Sequence, residues 1–473
     1  MGTSIWENAT LRMVDPTDLL LDQNARSIGD VTADNPELAA SVREHGVLVP
    51  VIANPTGDGR IRVRDGHSRT LAARLVVDEH PTIPVLVTES TDEEQWRRLR
   101  DQWISNEVRT GFSVGDKARL LEQMALFGLS EEEIAAQLTT DVETVKAGLA
   151  VGRSRRATEA VATHPQLDMM QAAALAEFED DPEASESLSW VLQWRPAQYD
   201  HTVTLLRRRK AERQACEAKA EELRRAGVTV LEGAAAEGAV QLDRLLRGGK
   251  SHTALSEQNH ARCPGHAAIV TTNYTGDVTA QYVCRDWKVN GHVQRHPTQE
   301  GPRTEEEKAE LRRVRHNNEV WRAARDERRA FLTRFLSRKT PPKQLTFALL
   351  MALLHGGPHL TAALGRSSGF IAGLLGMEPI QRHGQPNPIV AKAKRAGLNQ
   401  LTMLLTAVVL GGMEMAYDSR DSVNTWRRPS DEDKLYFATL RDLGYTLSTV
   451  ESLVLDPMAD ADQWPHLTTE NVA

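Results

Sequence analysis

The sequence predicts a small α+β unit near its N-terminal end, almost pure helix behind it, and a short β insert within the helical part. Three observations carry that expectation. Strand and helix signals alternate from residue 10 to about 100, amphipathic helical spacing takes over from Ser113, and two Cys/His pairs flank a hairpin pattern between Cys263 and His292. With 473 residues the chain is too long for one core, so two to four domains are expected.

The first stretch, "LRMVDPTDLL", reads as a strand and turn. "NPELAASVREHG" reads as a capped helix, with Asn35 as N-cap, Pro36 at the first helical position and Gly46 as the stop. "VLVPVIANPTGDGRIRVRDG" is a hairpin with the loop "PTGDG", and "IPVLVTES" is a further strand. "VRDGHSRTLAARL" is strand, turn and helix, with Asp65-Gly66 as the turn. Arg69 sits at the mouth of that helix, where unpaired N–H groups already favour an anion. A guanidinium adds little to helix stability there, but it suits a bound phosphate.

From Ser113, "SVGDKARLLEQMALFG" is an amphipathic helix ending at Gly128. "LSEEEIAAQLTTDVETVKAGLAVG" splits into two short helices. Ser130 caps the first and Glu133 completes a capping box, while Asp141 caps the second. Ile134, Ala135, Leu138, Val145 and Leu149 fall where a helix-turn-helix needs its internal contacts. Thr139 stands at the turn where glycine is usual, and Gly148 where an apolar residue is usual. "LDMMQAAALAEFED" is another helix whose Met and Leu stripe is read as core.

Arg195 to Arg225 carries nine Lys or Arg against five Asp or Glu, and is read as a solvated helix or short coiled coil rather than a DNA-facing surface. "RTEEEKAELRRVRHNNEVWRAARDERRAFLTRFLSRK" is a second net-basic helix. Beyond Pro341 and Pro342 the helices become apolar with amphipathic spacing. The expected divisions are 10–110, 111–200, 201–250, 255–300, 301–340 and 341–473.

Composition bounds the function. Charged residues make up 26% and hydrophobic ones 40%, as in soluble globular proteins. No run is read as approaching the roughly 18 apolar residues of a membrane span. The N-terminal segment lacks a signal-peptide pattern, so no membrane association and a cytoplasmic location are expected. Three cysteines, Cys216, Cys263 and Cys284, exclude a disulfide framework. A net charge of −8 means that any contact with nucleic acid must be local.

The spacing C-x2-H, seventeen residues, then C-x7-H places Cys263, His266, Cys284 and His292 around the predicted hairpin. Zinc takes four such ligands in a tetrahedron, and a closed set of four makes a structural site. His260 is the reserve ligand.

Taken in order, the α+β unit, "GHSRTLAA", "SNEVRTGFS" and the helix-turn-helix resemble the ParB-like family of chromosome and plasmid partition proteins. The likeness extends to the wider ParB-N superfamily. Gly66, Arg69, Ala72 and Ala73 match the family's first box; Asn106 and Arg109 match its second. "NAR", Asn24 to Arg26, is similar to the N-terminal arginine box, and "GVLVPVIAN" to the family's strand entry. The resemblance covers roughly residues 10 to 200. It implies a ParB-N-like nucleotide-binding domain, then a helix-turn-helix that binds double-stranded DNA, a partition ATPase as partner, and a homodimer at the bacterial nucleoid or a plasmid.

It also implies CTP with Mg²⁺ held by Arg26, Gly66, His67, Ser68, Arg69, Ser105, Asn106 and Arg109. Ser105 stands where the family's hydrolytic glutamate is found, so turnover is expected to be slow or absent, a weak CTPase at most. Glu143, Thr144, Lys146, Arg153 and Arg155 are the expected DNA contacts. Two other classes remain: a ParB-N superfamily nuclease or CTPase, and a transcriptional regulator that has lost the nucleotide.

Overall fold

The computed structural model describes residues 9–21, 31–56, 58–88, 99–100, 103, 113–248, 253–273, 276–295, 304–355, 360, 368–378, 387–418 and 420–459. The chain forms two compact units, residues 1–185 and 186–473.

The first unit opens with a five-stranded sheet in the order β1-β5-β3-β4-β2. The strands are β1 (Thr10–Val14), β2 (Leu19–Leu20), β3 (Val51–Pro55), β4 (Ile61–Asp65) and β5 (Ile83–Val87). Between them lie α1 (Val31–Asp34), α2 (Pro36–His45) and α3 (His67–Arg74). β3 and β4 form the expected antiparallel hairpin, and β3 runs parallel to β5. Alternate residues Val51 and Ala53, and Ile83, Val85 and Val87, turn inward to meet Val42 of α2 and Ala72 and Ala73 of α3. Asn35 caps α2, accepting from Leu38 N at 3.2 Å, and Gly46 ends it at φ 67°.

The helical part of this unit runs α4 (Val114–Leu126), α5 (Glu131–Leu138), α6 (Val142–Arg153), α7 (Arg155–Thr163) and α8 (Met169–Glu177). The Ser130–Glu133 capping box and the Asp141 cap both form. Ile134, Ala135, Leu138, Val145 and Leu149 are buried in one cluster with Leu120, Leu121 and Met124. The α8 stripe differs from expectation. Its leucines Leu167 and Leu175 are buried as read, but Met170 is 52% exposed, and Ala172, Ala174 and Phe178 fill the core beside the leucines.

Both departures from the usual helix-turn-helix pattern now have physical content. Thr139 ends α5 in the left-handed region (φ 53°, ψ 44°), and among the described residues it is the one non-glycine with positive φ. Gly148 lets α6 close on α4: a Cβ there would lie 2.2 Å from Leu121 Cδ1, and Leu121 is fully buried. Thr139→Gly should therefore raise the stability of this unit by about 1 kcal/mol, the left-handed strain relieved less the entropy of glycine. Gly148→Ala should lower it by about 1–3 kcal/mol through overpacking. Thermal melts of the two variants check both signs.

α9 (Pro182–Trp194) crosses into the second unit, which continues with α10 (Tyr199–Arg225). The strands are β6 (Thr229–Val230), β7 (Val240–Gln241), β8 (Leu245–Leu246), β9 (His266–Thr272), β10 (Val278–Cys284) and β11 (Val293–Gln294). They form a sheet β6-β9-β10-β7 and a separate pair β11-β8, with α11 (Glu257–His260) between β8 and β9 in sequence. The helices that follow are α12 (Glu305–Leu336), α13 (Leu345–His355), α14 (Ser368–Leu374), α15 (Pro388–Ala393), α16 (Leu398–Glu414), α17 (Asp431–Asp442) and α18 (Thr449–Leu455).

The two basic helices α10 and α12 pair with each other. Arg209 makes a two-pronged bond to Glu319 at 2.6 and 2.8 Å, and Arg208 reaches Asp326 at 3.0 Å. Two apolar helices depart from expectation. Leu398–Asp418 is long and apolar enough to cross a membrane by length and composition, with mean hydropathy 1.2. However, 61% of its most apolar 18-residue window is buried within the unit, the property of a core helix. α13 is not amphipathic: it buries Leu345, Leu349 and Ala352 but leaves Phe347, Leu350, Leu353 and Leu354 exposed.

Arg328 of α12 is wholly buried. Its guanidinium bonds Glu414 of α16 at 2.8 and 3.2 Å and also bonds Glu451 of α18. Tyr436 donates to Glu414 at 2.8 Å, and Tyr445 donates to Glu451 at 3.1 Å. Burial pushes the Glu451 pKa up, but Arg328 beside it pulls it down further, and the net shift is downward. A lowered carboxyl contributes stability that is present above its unfolded value, about 4.3, and lost as pH falls through the lower folded value. The contribution of Glu451 to wild-type stability should thus hold down to about pH 4.3 and fall below it. Arg328→Leu should cost about 3–5 kcal/mol at neutral pH. It should cost less near pH 4, because the stranded carboxyls are then neutralised.

Candidate nucleotide, DNA and metal sites

The β4–Gly66–α3 junction is built as a tight strand-to-helix turn. Gly66 takes φ 104°, and a Cβ there would lie 3.1 Å from both Val51 Cγ2 and Arg69 Nη2. His67 is buried and Ser68 half-buried on the first turn of α3. Helical bonding begins with Thr70 N to Gly66 O, so the N–H groups of His67, Ser68 and Arg69 precede it at the helix mouth.

Arg69 is placed differently from the sequence expectation. Its Nη1 donates to Val49 O and Pro50 O, each at 2.7 Å, and its Nη2 to Asp65 Oδ2 at 3.0 Å. The side chain is only 13% exposed. The fork thus clips the segment before β3 to α3 rather than standing open for a phosphate. Arg74, one turn on, likewise donates to Pro16 O at 2.9 Å and Leu19 O at 2.6 Å. The remaining nucleotide-site residues of the sequence reading, Arg26, Ser105, Asn106 and Arg109, lie outside the described residues.

On α6, Glu143, Lys146 and Arg153 are exposed and Thr144 is half-buried. Thr144 Oγ1 donates to the capping Asp141 at 2.8 Å. Lys146 pairs with Glu143 at 3.0 Å, and that hydrogen bond raises the lysine pKa, with Glu131 and Glu132 adding to it. Arg155, at the start of α7, faces solvent with Glu159 at 3.8 Å. The helix therefore presents few unopposed cations, as its sequence suggests.

In the second unit, His260, Cys263, Cys284 and His292 offer ligand atoms that all lie within 4.8 Å of one another. The elements that gather them are the end of α11, the "CPG" turn, the end of β10 and the loop after it. Gly265 is required in that turn, since a Cβ would lie 2.8 Å from Cys284 Sγ. Asn290 Nδ2 reaches Cys284 Sγ at 3.6 Å. Burial, with lesser contributions from His266 and His292, pushes His260 down to about 4, so its imidazole is neutral. Burial also pushes the Cys284 thiol up to about 11.

The expected ligand His266 is not among the four. It opens β9 opposite Cys284, its Nδ1 faces His260 Nδ1 at 3.0 Å, and its ring stacks on Tyr282 at 5.5 Å. The reserve residue His260 takes the inward place. "HARCPGH" puts a histidine three residues to either side of Cys263, and that symmetry hid the choice.

No family model matches the sequence. The chain is 35% identical over 139 residues to a probable chromosome-partitioning protein ParB of Treponema pallidum, 29% of this chain and 41% of that one. It is 28% identical over 146 residues to a probable ParB of Pseudomonas putida, 31% of this chain and 49% of that one. The chromosome-partitioning protein Spo0J of Thermus thermophilus matches at 33% over 109 residues, 23% and 38% of the two chains. The chain thus spans less than half the length of these curated relatives.

Among solved structures, it matches the truncated ParB of Caulobacter crescentus with CTP-γ-S at 22% identity. That match has a TM-score of 0.19 and covers 37% of this chain and 97% of that one. The same protein on its centromeric parS site matches at 20% identity and a TM-score of 0.28, over 37% and 89%. Over 23–31% of its length the chain is thus similar to chromosome-partitioning proteins.

The Arg69 geometry has a direct consequence. Arg69→Ala should destabilise the first unit by about 2 kcal/mol, since charged donors leave two carbonyls and a carboxylate behind. Arg69→Lys should not restore it, because one ammonium cannot span all three acceptors. A melt indistinguishable from wild type in Arg69→Ala would remove the clip.

Proposed function

We propose that this ParB-like chain is a DNA-binding protein of plasmid or chromosome partition. It binds double-stranded DNA through α5 and α6 and a CTP-type nucleotide with Mg²⁺ at the mouth of α3. A zinc ion is a separate, structural part of the second unit. One observation carries the reading: a strand–Gly66–helix junction and a capped helix-turn-helix occur in one chain whose curated relatives are chromosome-partitioning proteins.

At the nucleotide site, the N–H groups of the first turn of α3 are the phosphate donors, supported by Ser68. Arg69 enters as the residue that holds the neighbouring segment in place. Arg26, Asn106 and Arg109 are the further nucleotide contacts that the family resemblance implies. With Ser105 in the glutamate position, hydrolysis is slow or absent. The protein works as a homodimer in the cytoplasm with a partition ATPase.

On DNA, Lys146 and Thr144 read base edges, while Arg153 and Arg155 meet phosphates. Phosphate approach to α6 is opposed by Glu143, so affinity rests on few contacts and the salt dependence is set by them. A second reading, a regulator that keeps the fold without the nucleotide, is favoured by one observation. The arginine of the first box is already held by two carbonyls and Asp65. That same pairing occupies Asp65, the carboxylate that a nuclease reading would need for its metal.

Radiolabelled CTP binding, with and without DNA, separates these readings. The partition reading expects CTP binding that responds to cognate DNA, with little phosphate release. DNA binding intact and CTP binding absent would select the regulator. Lys146→Ala should reduce discrimination between sequences, whereas Arg155→Ala should weaken all sequences alike. If deleting residues 128–156 leaves DNA affinity unchanged, α5 and α6 are not the reader.

A further inference from the structure

We propose that the zinc ion of the second unit is held by His260 Nε2, Cys263 Sγ, Cys284 Sγ and His292 Nε2. His266 is the positioning residue that fixes His260. The ligand assignment rests on the zinc reading of this unit, and the geometry supplies what that reading lacked. With zinc–thiolate bonds of about 2.3 Å and zinc–imidazole bonds of about 2.0–2.1 Å, a tetrahedron separates two nitrogens by about 3.3 Å and a sulfur from a nitrogen by about 3.6 Å. His260 Nε2 and His292 Nε2 lie 3.2 Å apart, and Cys263 Sγ lies 3.5 Å from His292 Nε2. Two thiolates and two imidazoles in this arrangement select zinc over the hard, oxygen-seeking cations.

The role of His266 follows from its tautomer. An imidazole bound to metal through Nε2 carries its proton on Nδ1 and needs an acceptor for it. His260 is 2% exposed, so water does not serve, and the group facing its Nδ1 at 3.0 Å is His266 Nδ1. His266 accepts with that nitrogen and keeps its own proton on Nε2. Its ring is held by stacking on Tyr282, 20° from parallel, and its backbone by the β9–β10 ladder opposite Cys284. The hairpin that delivers Cys284 as a ligand therefore also delivers the group that orients His260. Moving His266 inward as a ligand would leave the buried Nδ1 of His260 without that acceptor.

The metal would join four short pieces of chain whose own apolar core is small: Leu242, Leu245, Leu255 and Cys284, with Val240, Cys263, Tyr282 and Trp287 against them. Such a subdomain depends on its ion for much of its folding free energy.

The test uses the full chain purified without a histidine tag. Elemental analysis should find one zinc per wild-type chain; finding none would sink the zinc reading itself. His260→Ala should lose stoichiometric zinc, and His260→Cys, which restores a ligand, should regain it. His266→Ala should keep one zinc but bind it about 10–100-fold more weakly in competition with a chelating dye. His266→Asp, which restores an acceptor, should recover most of that loss. Zinc retained in His260→Ala but lost in His266→Ala would overturn the ligand assignment while leaving the zinc reading intact. Unchanged affinity in His266→Ala would overturn the positioning role. In wild type, chelation should raise hydrogen exchange across residues 253–295 and leave residues 9–88 unchanged. Exchange that stays flat in 253–295 would show that no metal holds them.

Discussion

The second unit is organised around a single buried cation. An arginine taken fully out of water is tolerated only when its charge is matched and its donors are used. Arg328 meets both conditions at once, with Glu414 on α16 and Glu451 on α18. Tyr417, Phe437 and Trp321 stack around the guanidinium at 5.0–5.5 Å, and Arg329 adds a second cation beside Glu414. Because the cation and its two partners come from three helices far apart in sequence, the requirement to match one charge fixes how those helices register. The surrounding aliphatic core can slide by a rotamer; this cluster cannot.

What the sequence revealed was local. Caps, stops and hairpin turns draw on residues within a few positions of one another, and Asn35, Ser130, Asp141 and Gly46 each behave as read. The core between α5 and α6 was legible for the same reason, since its contacts are set by helical period and one short turn. Even the two irregular positions carried information. A threonine at the turn and a glycine in the second helix each mark a place where backbone geometry, rather than side-chain chemistry, decides the residue.

What stayed hidden depends on partners that leave no mark in the sequence. Arg69 is satisfied by the carbonyls of Val49 and Pro50, and every residue has a carbonyl. Arg328 sits in the arginine-rich "RDERRAF", where nothing distinguishes the one that goes inside; its partners lie 86 and 123 residues away. His260 and His266 are equivalent by spacing, and only the strand that begins at His266 turns one outward from the cluster. α13 misled in the opposite sense, because a continuous apolar run does not say how many of its faces are covered.

The two arginine clips of α3 have a mechanical meaning. Arg69 grips the segment just before β3, and Arg74 grips the turn between β1 and β2. One short helix is thereby strutted at both ends to chain that precedes it by roughly 20 and 55 residues. A displacement of its N-terminal turn is not absorbed locally. It is levered into the central strand β3 on one side and into the β2 edge of the sheet on the other, so this helix can move only as part of a stiff frame.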